Sequence, residues 1–221
     1  MDIDKISRKE EKIKLGKKIA ERVKDGQTIG FGSGSTSYLT AIEIGKKVEK
    51  EHLHIIAIPT SKEIENVCKQ YKIQIGNLVE NKIDWAFDGA DEVDPDNNMI
   101  KGMGAAMFKE KLNIANSKIT YILVDKSKMI KELDTNFPIP VECHPLALNS
   151  VKEKLIELGA IEIKLRQALK KDGPVITENN NLILDVRFTE IYETLEKDIK
   201  DITGVIESGL FTNSYNIEII N

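Results

Sequence analysis

The sequence predicts an α/β fold: a Rossmann-like, mostly parallel sheet flanked by helices, with a smaller ferredoxin-like α+β domain. Two observations lead there. Short apolar runs alternate with helical patterns through roughly the first 130 residues, as βαβ units require. Beyond Pro138 the order becomes strand, helix, strand, strand, helix, strand, which is the βαββαβ pattern. At 221 residues and 41% hydrophobic, the chain can bury the cores that both parts need.

Taken in order, residues 8–24 place Ile13, Ile19, Ala20 and Val23 on one stripe, predicting a helix that Asp25-Gly26 ends. Four apolar runs follow, and each stops at a polar segment. Residues 28–31 stop at Gly32-Ser33-Gly34-Ser35-Thr36, and residues 54–58 at Pro59-Thr60-Ser61. Residues 83–87 stop at Asp88-Gly89-Ala90-Asp91-Glu92, and residues 119–124 at Asp125-Lys126-Ser127-Lys128. In a parallel sheet all four polar segments gather at the carboxyl edge, where open α/β sheets bind ligands. In the second half, Val141-Glu142 and residues 161–165, 182–188 and 205–211 read as strands, and residues 146–158 and 191–202 as helices. The domain boundary is expected at residues 136–140. It divides an α/β domain of residues 1–135 and 207–221 from a small domain of residues 136–206, with residues 215–220 returning as a strand to the first domain.

Composition narrows the function. A net charge of −4 argues against nucleic-acid binding, although a small anion needs only a local positive site. Cys68 and Cys143 are far apart and form no CxxC pair, so reduced buried thiols are expected. Residues 1–5 lack the apolar run of a signal peptide, and no stretch approaches a membrane span. A soluble cytoplasmic protein with no membrane partner is expected.

The motifs exclude more than they establish alone. Residues 30–36 lack the third glycine of a dinucleotide fingerprint and the lysine of a P-loop. Their glycines still let backbone amides approach a phosphate at a helix start near Thr36. A plain strand-to-helix turn with Ser35 or Thr36 as N-cap fits equally well. Asp94-x-Asp96-x-Asn98 begins like a calcium loop, but Met99 and Ala105 replace its required glycine and glutamate, leaving a polar turn. Asp88 and Asp91 flank Gly89-Ala90 and are either mutually perturbing carboxylates or solvated caps. Gly104-Ala105-Ala106-Met107-Phe108 reads as the start of a closely packed helix, on which Glu110 is expected to share an apolar face with Met103, Ala106 and Met107, where desolvation suits a group that takes and returns a proton. The alternative is an exposed helix glutamate. Lys101 and Lys128 are either partners for a phosphate or an oxyanion, or surface lysines. No histidine has a ligand-spaced partner, and no nucleophile elbow occurs.

In combination these motifs resemble one family. Gly32-Ser33-Gly34-Ser35-Thr36, Pro59-Thr60-Ser61, Asp88-Gly89-Ala90-Asp91-Glu92, Lys101-Gly102-x-Gly104-Ala105-Ala106, Glu110-Lys111 and Asp125-x-Ser127-Lys128 are similar, in this order, to ribose-5-phosphate isomerase type A. The resemblance continues through residues 138–142, 182–186 and 204–211, nearly the whole chain. It implies interconversion of ribose 5-phosphate and ribulose 5-phosphate without metal or cofactor. Glu110 would be the base that shuttles a proton through an enediolate. Asp88, Asp91 and Lys101 would open the ring and stabilise charge. Ser33, Gly34, Ser35 and Thr36, with Gly89, Ala90, Gly102, Met103, Gly104, Lys128 and Lys12, would bind the sugar phosphate. The resemblance also implies a homodimer or homotetramer. The sequence departs from the family pattern at Met103, where the middle of three glycines is usual, and at Ser33, where threonine is frequent. A sugar-phosphate sensor without catalysis and a sugar-phosphate deaminase are the competing classes, and the retained Glu110, Asp88, Asp91 and Lys101 argue against the sensor.

Overall fold

An all-parallel six-stranded sheet organises the first of two units in the computed structural model, which describes residues 1–133, 136–212 and 215–221. The units are Met1–Ala90, Lys109–Lys128 and Tyr215–Asn221, and Asp91–Phe108 and Met129–Ser214. In chain order the elements begin with α1 (Lys9–Ala20), β1 (Thr28–Phe31), α2 (Gly34–Glu51), β2 (Ile56–Pro59), α3 (Lys62–Gln70), β3 (Gln74–Ile75) and β4 (Trp85–Gly89). Then come β5 (Glu92–Val93), β6 (Met99–Ile100), α4 (Met107–Ala115), β7 (Thr120–Leu123), β8 (Ile139–Cys143), α5 (Leu148–Glu157) and β9 (Ala160–Leu165). The last are β10 (Leu182–Phe188), α6 (Leu195–Lys200), β11 (Val205–Ser208), β12 (Leu210–Phe211) and β13 (Ile217–Ile220).

The first sheet has the order β13-β7-β4-β1-β2-β3. From β1 the chain winds first to β2 and β3 on one side, and later to β4 and β7 on the other. The winding reverses between β1 and β4, and the ends of these two strands flank the crevice that such a reversal opens. Side chains alternate along β1. Ile29 and Phe31 join Ile19, Ile44, Ile64 and Phe87 in one fully buried core with α1, α2 and α3. The Phe31 and Phe87 rings meet edge to face at 4.9 Å. Each such large buried side chain contributes about 1.5–3 kcal/mol. Gly30 faces the other way, where an added Cβ would stand 2.8 Å from Ala86 Cβ and 3.3 Å from Asn113 Nδ2, so α4 lies close against this side.

In the second unit a four-stranded antiparallel sheet has the order β11-β8-β10-β9 and the chain order β8-α5-β9-β10-α6-β11, a ferredoxin-like unit. Val141, Leu184, Val186 and Phe188 pack with Val151, Leu155, Leu195 and Ile199 from α5 and α6. The single strand expected over residues 205–211 is instead two. β11 pairs with β8, and β12 crosses to a three-stranded sheet of order β12-β6-β5. Gly209 makes the change possible: its N–H donates to Pro140 O, and a Cβ there would lie 2.0 Å from Lys101 O. The helix expected over residues 191–202 is confined to Leu195–Lys200, and the one over residues 146–158 opens with a 3-10 turn at Pro145–Ala147. Pairing with β12 places β5 and β6 in the second unit, whereas the sequence assigns residues 91–108 to the first domain. Thr135, at the expected boundary, lies outside the described residues. Among the described residues no helix is long and apolar enough to cross a membrane.

Gly209→Ala should lower stability by about 1–3 kcal/mol through overpacking against the Lys101 carbonyl. A urea midpoint measurement checks this, and an unchanged midpoint would mean that the β11–β12 crossing does not depend on glycine.

Candidate active site

At the end of β1 the register with β4 runs on by one residue: Gly32 N–H donates to Phe87 O at 2.9 Å. Gly32 therefore lies beside Asp88, and a Cβ on it would meet Asp88 Oδ1 at 2.1 Å. The carboxylate occupies the space that the missing side chain leaves. Asp88 is 2% exposed, and its Oδ1 accepts from Gly89 N–H at 2.8 Å and from Ser37 Oγ at 3.1 Å. Ser37 stands in the first turn of α2, so strand and helix together fix this group. Gly89 closes β4 and, like Ala90 after it, is half-buried.

The α2 terminus forms a second feature. The helix starts at Gly34, two residues before Thr36, and Ser33 holds the N-cap position in place of the expected Ser35 or Thr36. Gly34 has φ +86°, which favours glycine and lets the chain turn sharply into the helix. The Ser33 side chain makes no capping hydrogen bond to the helix. Ser33 Oγ instead pairs with Thr60 Oγ1 at 2.6 Å. Ser35 Oγ accepts from Lys12 Nζ at 2.8 Å. Lys12 is buried on α1, and desolvation holds its amine below the usual lysine range; Asp125 opposes this, while the charges of Lys128 and Arg8 add to it. Burial pushes Asp125 up, but bonds from Ser127 and the charges of Arg8 and Lys12 outweigh it and hold its carboxyl below the usual range. Arg8 reaches Asp125 at 2.8 Å. Arg8 and Lys12 thus act on one carboxylate, with the charge of Lys128 near Lys12 and the helix N-terminus beside it, which is a setting for an anion.

Glu110 lies in the first turn of α4 and is 4% exposed, so it is not the exposed helix glutamate of the alternative reading. Its apolar face differs from expectation. The helix starts at Met107, not near Gly104, and Met103 lies in the preceding turn with 46% of its surface exposed. Ala106 is half-buried, leaving Met107 as the fully buried residue of the expected three. One turn on from Glu110, Asn113 Nδ2 donates to Ile58 O at 2.8 Å, tying α4 to the end of β2. The amino end of α4, with Glu110, therefore lies at the sheet's carboxyl edge.

In the second unit Asp91 and Lys101 stand at either end of the β5–β6 hairpin. Asp91 N–H donates to Ile100 O at 2.9 Å, and its Oδ2 accepts from Met103 N–H at 3.3 Å. Lys101 is 2% exposed, with Nζ 5.6 Å from the Phe211 ring centroid. Gly102 at φ +100° and Ala105 at φ +60° turn the chain from β6 towards α4, and Gly104 between them is exposed. Asp94 closes the hairpin: its carboxylate accepts from Asp96 N–H, Asn98 N–H and Asn98 Nδ2 at 2.8–2.9 Å. Its oxygens are spent on the turn itself. Among the described residues no group of three or more His, Cys, Asp or Glu is placed to hold a metal.

The sequence signature described as ribose 5-phosphate isomerase A (phosphoriboisomerase A) matches residues 56–221. Ribose-5-phosphate isomerase A of Methanocaldococcus jannaschii is 43% identical over 210 residues, covering 94% of this chain and 92% of that protein. The chain belongs to the ribose 5-phosphate isomerase A family. The isomerase A from Thermosynechococcus vestitus is 41% identical over 93% of this chain and 89% of its own length. The solved M. jannaschii isomerase A superposes with a TM-score of 0.91 at 41% identity, covering 96% of this chain and 95% of that one. A D-ribose-5-phosphate isomerase solved with phospho-erythronic acid gives a TM-score of 0.89 at 35% identity, covering 97% and 95%.

Within this family framework several supporting residues escaped the sequence reading. Ser37 bonds Asp88 and Thr60 bonds Ser33, while Asp125, itself paired with Arg8, favours the charge of Lys12. Thr60 and Asp125 sit in polar segments that end predicted strands, a signal that was available. Ser37 and Arg8 carry no comparable mark.

Gly32→Ala should displace the Asp88 carboxylate and cost about 1–3 kcal/mol, because Cβ and Oδ1 cannot occupy one place; thermal unfolding with a crystal structure of the variant checks both effects. Lys12 should titrate below 10.5 and move upward when inorganic phosphate is added, since an anion beside it favours its charged form. Phosphate affinity should therefore fall with rising pH earlier than an ordinary lysine would allow. NMR of the Lys12 side chain follows the titration, and no response to phosphate would contradict an anion site.

Proposed function

We infer that this chain interconverts D-ribose 5-phosphate and D-ribulose 5-phosphate, an aldose–ketose isomerisation by proton transfer through an enediolate. The observation that carries the site reading lies at one sheet edge of the first unit. Two buried carboxylates, Asp88 and Glu110, share that edge with a cationic corner at the α2 terminus. The family's activity on a sugar phosphate supports the same assignment.

The cationic corner suits the 5-phosphate. Ser33, Gly34, Ser35 and Thr36 offer hydroxyl and backbone donors, and Lys12 and Lys128 supply charge. Glu110 is assigned as the base. It removes the C2 proton of the open-chain aldose, the C1 carbonyl electrons move to oxygen, and the resulting enediolate takes a proton back at C1. The O2 hydroxyl proton passes to O1, which leaves the ketose and a base ready for the next cycle. Such a positioned base contributes about 10²–10⁴-fold. Asp88 and Asp91 are assigned to ring opening and to the hydroxyl protons. Lys101 and the amides of Gly102, Met103 and Gly104 are assigned to the developing negative charge, where one preorganised donor is worth about 3 kcal/mol. Gly89 and Ala90 complete the binding set. A homodimer or homotetramer, a cytoplasmic location, and the absence of nucleic-acid and membrane partners belong to the same proposal.

Glu110→Gln keeps the shape of the side chain and removes its basicity. It should lower kcat by about 10²–10⁴-fold and leave KM for ribose 5-phosphate within about twofold, as expected for a group used mainly in the transition state. The assay is ribulose 5-phosphate formation with chelator present. A wild-type protein that binds ribose 5-phosphate without turning it over would sink the isomerase reading, and an active Glu110→Gln variant would reassign the base.

A further inference from the structure

Arg166 follows β9, with its backbone held on both sides: its N–H donates to Ile183 O, and its carbonyl accepts from Val175 N–H, both at 2.9 Å. Its guanidinium is 12% exposed and grips the Asp185 carboxylate, 19% exposed, with two donors: Nε to Oδ2 at 2.9 Å and Nη2 to Oδ1. The remaining terminal nitrogen, Nη1, donates to Gly102 O and to Met103 O, each at 3.0 Å. Nη2 also lies 3.7 Å from the Met103 sulfur. One planar group therefore joins a strand of the small sheet to two successive carbonyls of the turn after Lys101.

We propose that Arg166, oriented by Asp185, is a positioning residue for the Lys101–Gly104 turn, and that it sets the direction of the backbone amides of that turn. The geometry explains why an arginine stands here. Its fork satisfies a carboxylate and two carbonyls at once, which the point charge of a lysine cannot do. The turn needs such support: Gly102 has φ +100° and Ala105 φ +60°, with Met103 and the exposed Gly104 between them. The carbonyl of a peptide unit fixes the direction of the N–H in the same plane. Holding Gly102 O and Met103 O thus aims the N–H groups of Met103 and Gly104, the first of which already donates to Asp91. The brace also accommodates Met103: its side chain is 46% exposed, and its sulfur rests against the guanidinium.

The kinetic consequence rests on the isomerase reading, whereas the structural consequence does not, and the test separates them. Three variants are compared with the wild type: Arg166→Ala, Arg166→Lys, and the double variant Arg166→Met/Asp185→Leu. The double variant leaves no buried lone charge, so it keeps the fold testable where Arg166→Ala does not. Amide hydrogen exchange over residues 102–104 should accelerate by about tenfold or more in each folded variant, as loss of a local bond network allows. kcat should fall by about 10²-fold, the effect of a misplacement near 1 Å, with KM within about twofold. Methylguanidinium should restore part of the activity of Arg166→Ala. Unchanged exchange in a folded variant would overturn the brace whatever the activity, and unchanged kcat with faster exchange would overturn its role in the reaction. A wild type without isomerase activity would count against the functional reading alone.

Discussion

The seating of the Asp88 carboxylate on Gly32 is the contact on which the packing at this edge of the first sheet depends. It arises where the winding of the sheet reverses, at the ends of β1 and β4. Both strands are buried and apolar along their length, and their ends are where the chain can turn polar without loss of core. A side chain at residue 32 would fill the space the carboxylate uses. With glycine there, Asp88 packs at backbone distance and is held by Gly89 N–H and by Ser37 from α2. The same short stretch therefore ends a strand, opens a helix and fixes an acid.

Electrostatics divides the edge into two characters. Around α2 the charges of Lys128 and Arg8 and the burial of Lys12 all disfavour the Lys12 ammonium, Asp125 opposes them, and a bound anion would favour the charged form further. Away from that corner the edge carries two carboxyl groups, Asp88 and Glu110, which are buried more completely than Lys12. A sugar phosphate has the complementary polarity, with a dianionic end and a neutral chain of hydroxyls. Attraction at the phosphate and proton exchange at the other end are then assigned to different side chains, so substrate affinity and basicity can be set separately.

Much of this could be read from the sequence because it is local. Apolar runs that stop at Gly32, Pro59, Asp88 and Asp125 place four strand ends together, and the parallel sheet does so. The βαββαβ order was equally readable from its spacing. What could not be read depends on contacts between distant residues. Nothing around Gly209 says that its missing side chain makes room for the Lys101 carbonyl, so residues 205–211 look like one strand. Arg166 and Asp185 look like ordinary surface charges on a half-buried sheet until the turn more than sixty residues earlier is placed against them. Residues 104–108 look like a helix start in sequence, whereas Ala105 adopts φ +60° and α4 begins two residues later, at Met107.

A buried carboxylate that carries a proton between two carbons leaves a trace that a direct hydride shift does not. The bound proton has time to exchange with solvent on some turnovers. The decisive measurement is proton NMR of ribose 5-phosphate and ribulose 5-phosphate held at equilibrium with the wild-type protein in D₂O. The account predicts that deuterium accumulates at C2 of the aldose and C1 of the ketose over many turnovers. Interconversion that continues with no deuterium at either carbon would contradict it.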